Sequence, residues 1–192
     1  DSWFTPIEFA IRNNIKVLFN LPQIPYEFPE VLNSVTKSAF EAAKYISVRD
    51  YNSAQYLENV FDANKSEIYV YPDSVCCIQN LIPKAELLPI KKELLSFDDK
   101  YAVIQFNMQK KDEENEKLLQ TIEKLHSYNY KTVLLPLGYT HNDDHVLKEF
   151  NKKTGESSIV LDKKLNIYEI AAILSDCSIY IGASFHGAIT AI

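Results

Sequence analysis

Arginine is nearly absent from this chain. Of its 20 basic residues only Arg12 and Arg49 are arginines, set against 26 acidic residues and a formal net charge of −6. Gripping a phosphate backbone needs clustered positive charge, so no nucleic-acid partner is expected. The lysine pairs Lys110-Lys111, Lys152-Lys153 and Lys163-Lys164 sit among acids or at turns and read as solvated faces. Cysteine is scarce as well. Cys76 and Cys77 are adjacent, Cys177 lies far away, and no CxxC pair supports a zinc site. An odd count with one vicinal pair is no disulfide framework, so free thiols in a reducing compartment, the cytoplasm, are expected. Long hydrophobic runs are missing too: none reaches the ~18 residues a membrane helix needs, and no signal peptide is visible. The chain starts at Asp1 and stops at Ile192 inside an apolar run, so both ends read as cut.

What is present is a globular composition, 46% hydrophobic and 24% charged over 192 residues, which can bury a core. That length fits one large domain or two small ones. The pattern alternates helix and strand. Pro6 to Asn14 reads as a helix, Ile15 to Leu21 as a buried strand, and Glu30 to Lys44 as an amphipathic helix. Tyr45 to Val48 is the next strand, a helix capped by Ser53 runs to Phe61, and Ile68 to Tyr71 is a third strand. Leu81 to Lys100 holds two prolines and no sustained period, so it is the boundary candidate. Beyond it come a strand at Tyr101 to Phe106, interrupted only by Gln105, and a helix at Asp112 to Tyr128. A strand at Thr132 to Leu137, a helix at Asp143 to Lys153 stopped by Gly155, and a strand at Ser158 to Leu161 follow. A helix at Ile167 to Leu174 capped by Asn166, a strand at Ser178 to Gly182, and a helix from Gly187 complete the pattern. Such alternation predicts an α/β fold of two Rossmann-like halves with parallel sheets, residues 1–95 and 96–192.

In open parallel sheets ligands bind beyond the carboxyl ends of the strands, and two facing halves would place the site in the cleft between them. The residues after each strand are therefore the candidates. The last strand is followed by Gly182-Ala183-Ser184-Phe185-His186-Gly187, a turn with two glycines that can present backbone N–H groups and a positive helix end to a phosphate or carboxylate. His186 at the helix start can serve as an acid or hydrogen-bond donor. Residue types alone leave open a second reading, a packed histidine with Ser184 capping the helix. Arg49-Asp50 and Asp73 also follow strands, and each reads either as functional or as fixing its turn. His141 with Asp143, Asp144 and His145 fits no standard ligand spacing, so no metal is expected, and His141 stays a candidate substrate contact. Tyr139 reads as an ordinary packing or rim residue, with stacking on a sugar as the second reading.

Three segments resemble the polysaccharide pyruvyl transferases: Tyr45 to Asp50 with Ser53 and Leu57, Ile68 to Val75 with Pro72-Asp73, and Ile170 to Ala191. Val133 to Asp144 is similar more loosely. The resemblance implies a fold similar to two-domain glycosyltransferases. It also implies transfer of the pyruvyl group of phosphoenolpyruvate to a sugar of a bacterial cell-surface polysaccharide or its lipid-linked precursor. By that resemblance His186 contacts the donor and protonates the enol carbon or assists phosphate departure, and the backbone of Phe185 to Gly187 holds phosphate or carboxylate. No cofactor is implied beyond phosphoenolpyruvate as donor substrate; the partners are that donor and a glycan or lipid-linked acceptor, with peripheral membrane association. Oligomeric state is not readable. Two positions depart from the family pattern. Ser184 stands where the motif has arginine, and Gln105-Phe106-Asn107 stands where relatives often end a strand with arginine. A hydroxyl and a carboxamide hydrogen-bond but supply no charge-assisted bidentate contact. A glycosyltransferase-like enzyme using a nucleotide sugar, and a non-catalytic relative, are the alternatives.

Overall fold

The computed structural model describes residues 4–20, 22–24, 27–61, 68–106, 112–138 and 142–191. Backbone contacts group them into two compact units, Asp1–Ser74 and Val75–Ile192.

In the first unit, α1 (Phe4–Arg12) leads into β1 (Val17–Asn20); α2 (Asn33–Glu41), entered through a 3-10 turn at Glu30–Leu32, leads into β2 (Ala43–Val48); and α3 (Tyr51–Phe61) precedes β3 (Ile68–Val70). The strands lie in the order β1-β2-β3, all parallel. The core is built from Phe40, Ile46, Val48, Ala54 and Leu57. Ser53 was expected to cap α3, but the cap is Asp50. Its Oδ1 accepts from the Ser53 amide at 2.8 Å and its Oδ2 accepts from the Ser53 hydroxyl at 2.9 Å. Both residue types favour a cap; buried Ser53 instead sits in the first turn, and its Oγ accepts from the Ile24 amide at 2.9 Å.

The second unit starts with a 3-10 turn around Cys76 and Cys77, then α4 (Ile78–Leu81) and α5 (Lys84–Leu94). The segment judged irregular thus contains a helix, with Pro89 inside it. Prolines hide α5 from a propensity reading. Tertiary contacts hold it: Leu87, 4% exposed, packs with Ala171 and Ala172, and Lys91 on the same face is ion-paired. The division expected between residues 95 and 96 accordingly differs from the grouping by contacts, which keeps α5 with the second unit.

The rest alternates: β4 (Tyr101–Gln105), α6 (Asp112–Ser127), β5 (Lys131–Leu134), α7 (Asp143–Lys153), β6 (Ile159–Val160), α8 (Ile167–Leu174), β7 (Ile179–Gly182) and α9 (Phe185–Thr190). The sheet order is β6-β5-β4-β7, again all parallel. Every residue of β4 is buried, as expected of a strand covered on both faces. Tyr101 and Val103 face one core with Ile173 of α8, and Ala102 and Ile104 face another with Ile122 of α6 and Leu147 of α7. That two-residue alternation makes a three-layer α/β/α unit. Each fully buried Leu or Ile contributes about 1.5–3 kcal/mol. Asn166 caps α8 as expected, in a complete capping box with Glu169. Gly155, at φ +67°, follows α7 as the expected stop. An α/β fold with two parallel sheets is what the alternation predicted.

Candidate functional site

The turn from β7 into α9 is assembled by β4. Gln105 ends β4 opposite Gly182, is 4% exposed, and its Oε1 accepts from the amides of Ala183 and Ser184, both at 3.0 Å. The Tyr180 hydroxyl approaches the same oxygen at 3.5 Å and donates to the Ser184 carbonyl at 3.3 Å. Burial pushes the Tyr180 phenol above its ordinary value, so the proton stays on the oxygen. Gly182 and Gly187 flank that hydroxyl, and a Cβ on either would collide with it. Their use here is close approach rather than unusual backbone angles.

Ser184 is the N-cap of α9, its Oγ accepting from the Gly187 amide at 3.1 Å. The helix therefore begins at Phe185, two residues before the position expected from the sequence. Three donors of the turn, the amides of Ala183, Ser184 and Gly187, are thus bonded to side chains within it. The anion cradle expected from its backbone is correspondingly narrowed. Phe185 is 62% exposed and meets the His186 ring edge-on at 6.2 Å. His186 is exposed and lines a cavity of about 290 Å³ together with Leu137, Ile170, Leu174, Ser184 and Thr190. Among the described residues lining this cavity, His186 is the only ionisable one. The arrangement can deliver a proton or a hydrogen bond from imidazole beside an apolar wall, with no fixed charge among the described lining residues.

Arg49 and Asp73 are in the first unit. The Arg49 Nη1 donates to Asp73 Oδ2 at 2.6 Å and its Nη2 donates to Gln23 Oε1 at 2.5 Å. Asp73 is buried, so this pair ties the end of β2 to the turn after β3. The partner of Arg49 is Asp73, since Asp50 is occupied as the α3 cap. Asn107, His141 and Tyr139 lie outside the described residues. Asp143 is buried and its Oδ2 accepts from the Gly138 amide at 2.8 Å, so it pins its turn, and the N-cap of α7 is Asn142. Among the described residues no cluster of His, Cys, Asp or Glu could hold a metal ion. No helix among them is long and apolar enough to cross a membrane. Gln105 and Tyr180 were missed as parts of the turn; the one signal was a polar residue ending an otherwise apolar strand.

The model of the family described as polysaccharide pyruvyl transferase matches residues 3–192. The chain belongs to that family. Within this pyruvyl transferase family chain, the motif that carried the resemblance at Ile170 to Ala191 comprises the second half of α8, then β7 and α9. No curated protein sequence matches it at a significant level. Among solved structures it is similar to the UDP-GlcNAc 2-epimerase of Methanocaldococcus jannaschii, at 13% identity and a TM-score of 0.71. The match covers 98% of this chain and 55% of that one. The same epimerase in complex with UDP-GlcNAc and UDP matches at 15% identity and a TM-score of 0.61, covering 96% of this chain and 54% of that one. At such identity the likeness shows the fold alone, and the chain spans about half the length of these structures.

Proposed function

We propose that this protein transfers the pyruvyl group of phosphoenolpyruvate to a sugar of a bacterial cell-surface polysaccharide or of its lipid-linked precursor. The observation that carries this reading is the family match across residues 3–192. In this reading His186 is the catalytic residue: it protonates the enol carbon as one sugar hydroxyl, losing its proton, bonds to the adjacent carbon, or it assists departure of phosphate as a second hydroxyl of that sugar closes the ketal. Ser184, Phe185 and Gly187 shape the donor side, and Asn107 and His141 are donor or acceptor contacts. Arg49 with Asp73 sets a turn of the first unit. The donor substrate is the source of the transferred group, with no cofactor. A cytoplasmic enzyme meeting a lipid-linked acceptor at the membrane surface fits a substrate of this class.

One observation favours a second reading. The cavity beside His186 has no cation among its described lining residues, and the fold is shared with an enzyme named for a nucleotide sugar. A neutral turn suits a donor whose charge is held elsewhere, as in a nucleotide sugar.

The test is calorimetric titration of the full-length protein with phosphoenolpyruvate and with a panel of nucleotide sugars, paired with a transfer assay on wild type and His186→Ala. Loss of a general acid costs about 10²–10⁴-fold in rate, so the variant should retain its melting temperature and lose transfer by that factor. Heat only from a nucleotide sugar would replace the first reading by the second. Full transfer by His186→Ala would remove His186 from the chemistry.

A further inference from the structure

The side chain that bonds the amides just before α9 is not in the turn but on the neighbouring strand. Gln105 is almost fully buried, and its single carbonyl oxygen takes two consecutive backbone amides, Ala183 and Ser184, at 3.0 Å each. These are the two residues immediately before α9. The next link is the Ser184 hydroxyl, which accepts from Gly187 and so fixes the first turn of the helix that carries His186. Tyr180, on β7 itself, closes the group from the other side through the Ser184 carbonyl. Gly182 and Gly187 leave the space this needs: a Cβ on Gly182 would stand 3.0 Å from Gln105 Oε1, besides colliding with the Tyr180 hydroxyl.

We infer that Gln105 is a positioning residue for His186, acting through the amides of Ala183 and Ser184, and that this position requires a hydrogen-bond acceptor. This rests on the reading of His186 as the catalytic residue. Three physical points carry it. Two N–H groups aimed at the oxygen of one buried side chain are held there only while that side chain offers an acceptor. Guanidinium and ammonium only donate, so neither arginine nor lysine can close this turn in the same way. A carboxamide does so without adding charge, and the end of β4 is therefore committed to holding the turn rather than to neutralising a donor. Glutamate can replace the acceptor but would set a negative charge beside the donor site.

The experiment compares Gln105→Met, Gln105→Asn and Gln105→Glu in the full-length protein. Hydrogen exchange at the Ala183 and Ser184 amides is read alongside kcat and KM for phosphoenolpyruvate. Methionine keeps the volume and removes the acceptor; asparagine keeps the carboxamide but draws it back by one methylene. In both, the two amides should exchange at least tenfold faster, and kcat should fall about 10–100-fold with KM little changed, since a small misplacement of a reacting group has that scale of effect. Glutamate should restore slow exchange and raise KM for the anionic donor. Amides as protected in Gln105→Met and Gln105→Asn as in wild type would overturn the inference, as would a kcat unchanged once the amides are freed. If Gln105→Met does not fold, Gln105→Asn against Gln105→Glu decides by the same readings. A wild-type protein that transfers no pyruvyl group while its amides respond as described would fail the proposed function, and the exchange result would still assign the turn to Gln105.

Discussion

The two ends of the β4–β7 strand pair are secured by opposite chemistry. At the amino end the Asp176 carboxylate accepts from Lys84 and from Lys91, each at 3.0 Å, and Lys91 is 5% exposed. The Tyr101 hydroxyl donates to the Ile173 carbonyl beside them at 2.8 Å. At the carboxyl end the groups that hold the turn among the described residues are neutral: Gln105, Tyr180 and Ser184. Ligands of open parallel sheets bind at the carboxyl end. Fixed charge is thus placed at the end away from the candidate site, and the site end is shaped by dipoles that leave its field to His186 and the ligand. Strength and geometry are separated along one strand.

The largest effect should come from breaking the charged end. Asp176→Asn leaves Lys91 buried with Asp98 at 3.9 Å and the face of the Tyr101 ring, 5.6 Å from its Nζ. Removing one partner of such a pair costs about 2–4 kcal/mol once its partial exposure is allowed for, a fall in melting temperature of roughly 5–15 °C for a chain of this size. Burial alone would raise the Asp176 carboxyl, but the hydrogen bonds from Lys84 and Lys91 outweigh it and hold it below the ordinary value. Its contribution is therefore present above the unfolded value of about 4 and lost as pH falls below it. The gap between wild type and variant in thermal melts should close in acid. A variant that melts with wild type at pH 7 would show that packing, not charge, secures this end.

A smaller loss is expected at the neutral end. Ser184→Ala removes the cap of α9 and should cost about 1 kcal/mol. Ser184→Asp keeps an acceptor and should restore stability in urea titrations, while weakening capture of an anionic donor. Equal stability of Ser184→Ala and wild type would mean that Gln105 and Tyr180 suffice to hold the turn.

What the sequence made legible was whatever is decided locally. The Asn166 cap of α8, the bounds of α7, the apolar run of β4 and the helix–strand alternation that makes both sheets parallel all rest on signals a few residues apart. Asp50 and Ser53 are both good caps within one turn, so local signals could not choose between them. The prolines around α5 concealed a helix whose justification is Asp176, 85 residues away from Lys91. Gln105 stood out as a lone polar residue, yet its partners are 78 and 79 residues further on. Ser184, Phe185, His186 and Gly187 were read together as one turn, while the group that shapes them was not, because a hydrogen bond across a sheet leaves no periodic mark in either strand.

The smallest effect probes the charged end without disturbing it. Cys177 lies between Asp176 and β7, and burial, supported by the Asp176 charge, pushes its thiol up to about 11. Alkylation needs the thiolate, and at pH 8 a thiol near 11 holds about one part in a thousand of it, against roughly a quarter for an ordinary cysteine. Iodoacetamide followed by peptide mass spectrometry should therefore mark exposed Cys76 and Cys77 first, with Cys177 slower by roughly two-hundredfold than an ordinary thiol. Its rate should climb tenfold per pH unit up to about 11. The folded state holds this proton more tightly than the unfolded chain does, so the accompanying stability is full below the unfolded thiol value and drains away as pH rises toward about 11. In Asp176→Asn the negative charge is gone while the burial remains, so Cys177 should react somewhat faster than in wild type but still well behind Cys76 and Cys77. Cys177 labelled as fast as those two in the wild-type protein would show its thiol to be as open to solvent as theirs, and the contrast between a half-buried, charged end and a neutral, accessible one would fail there.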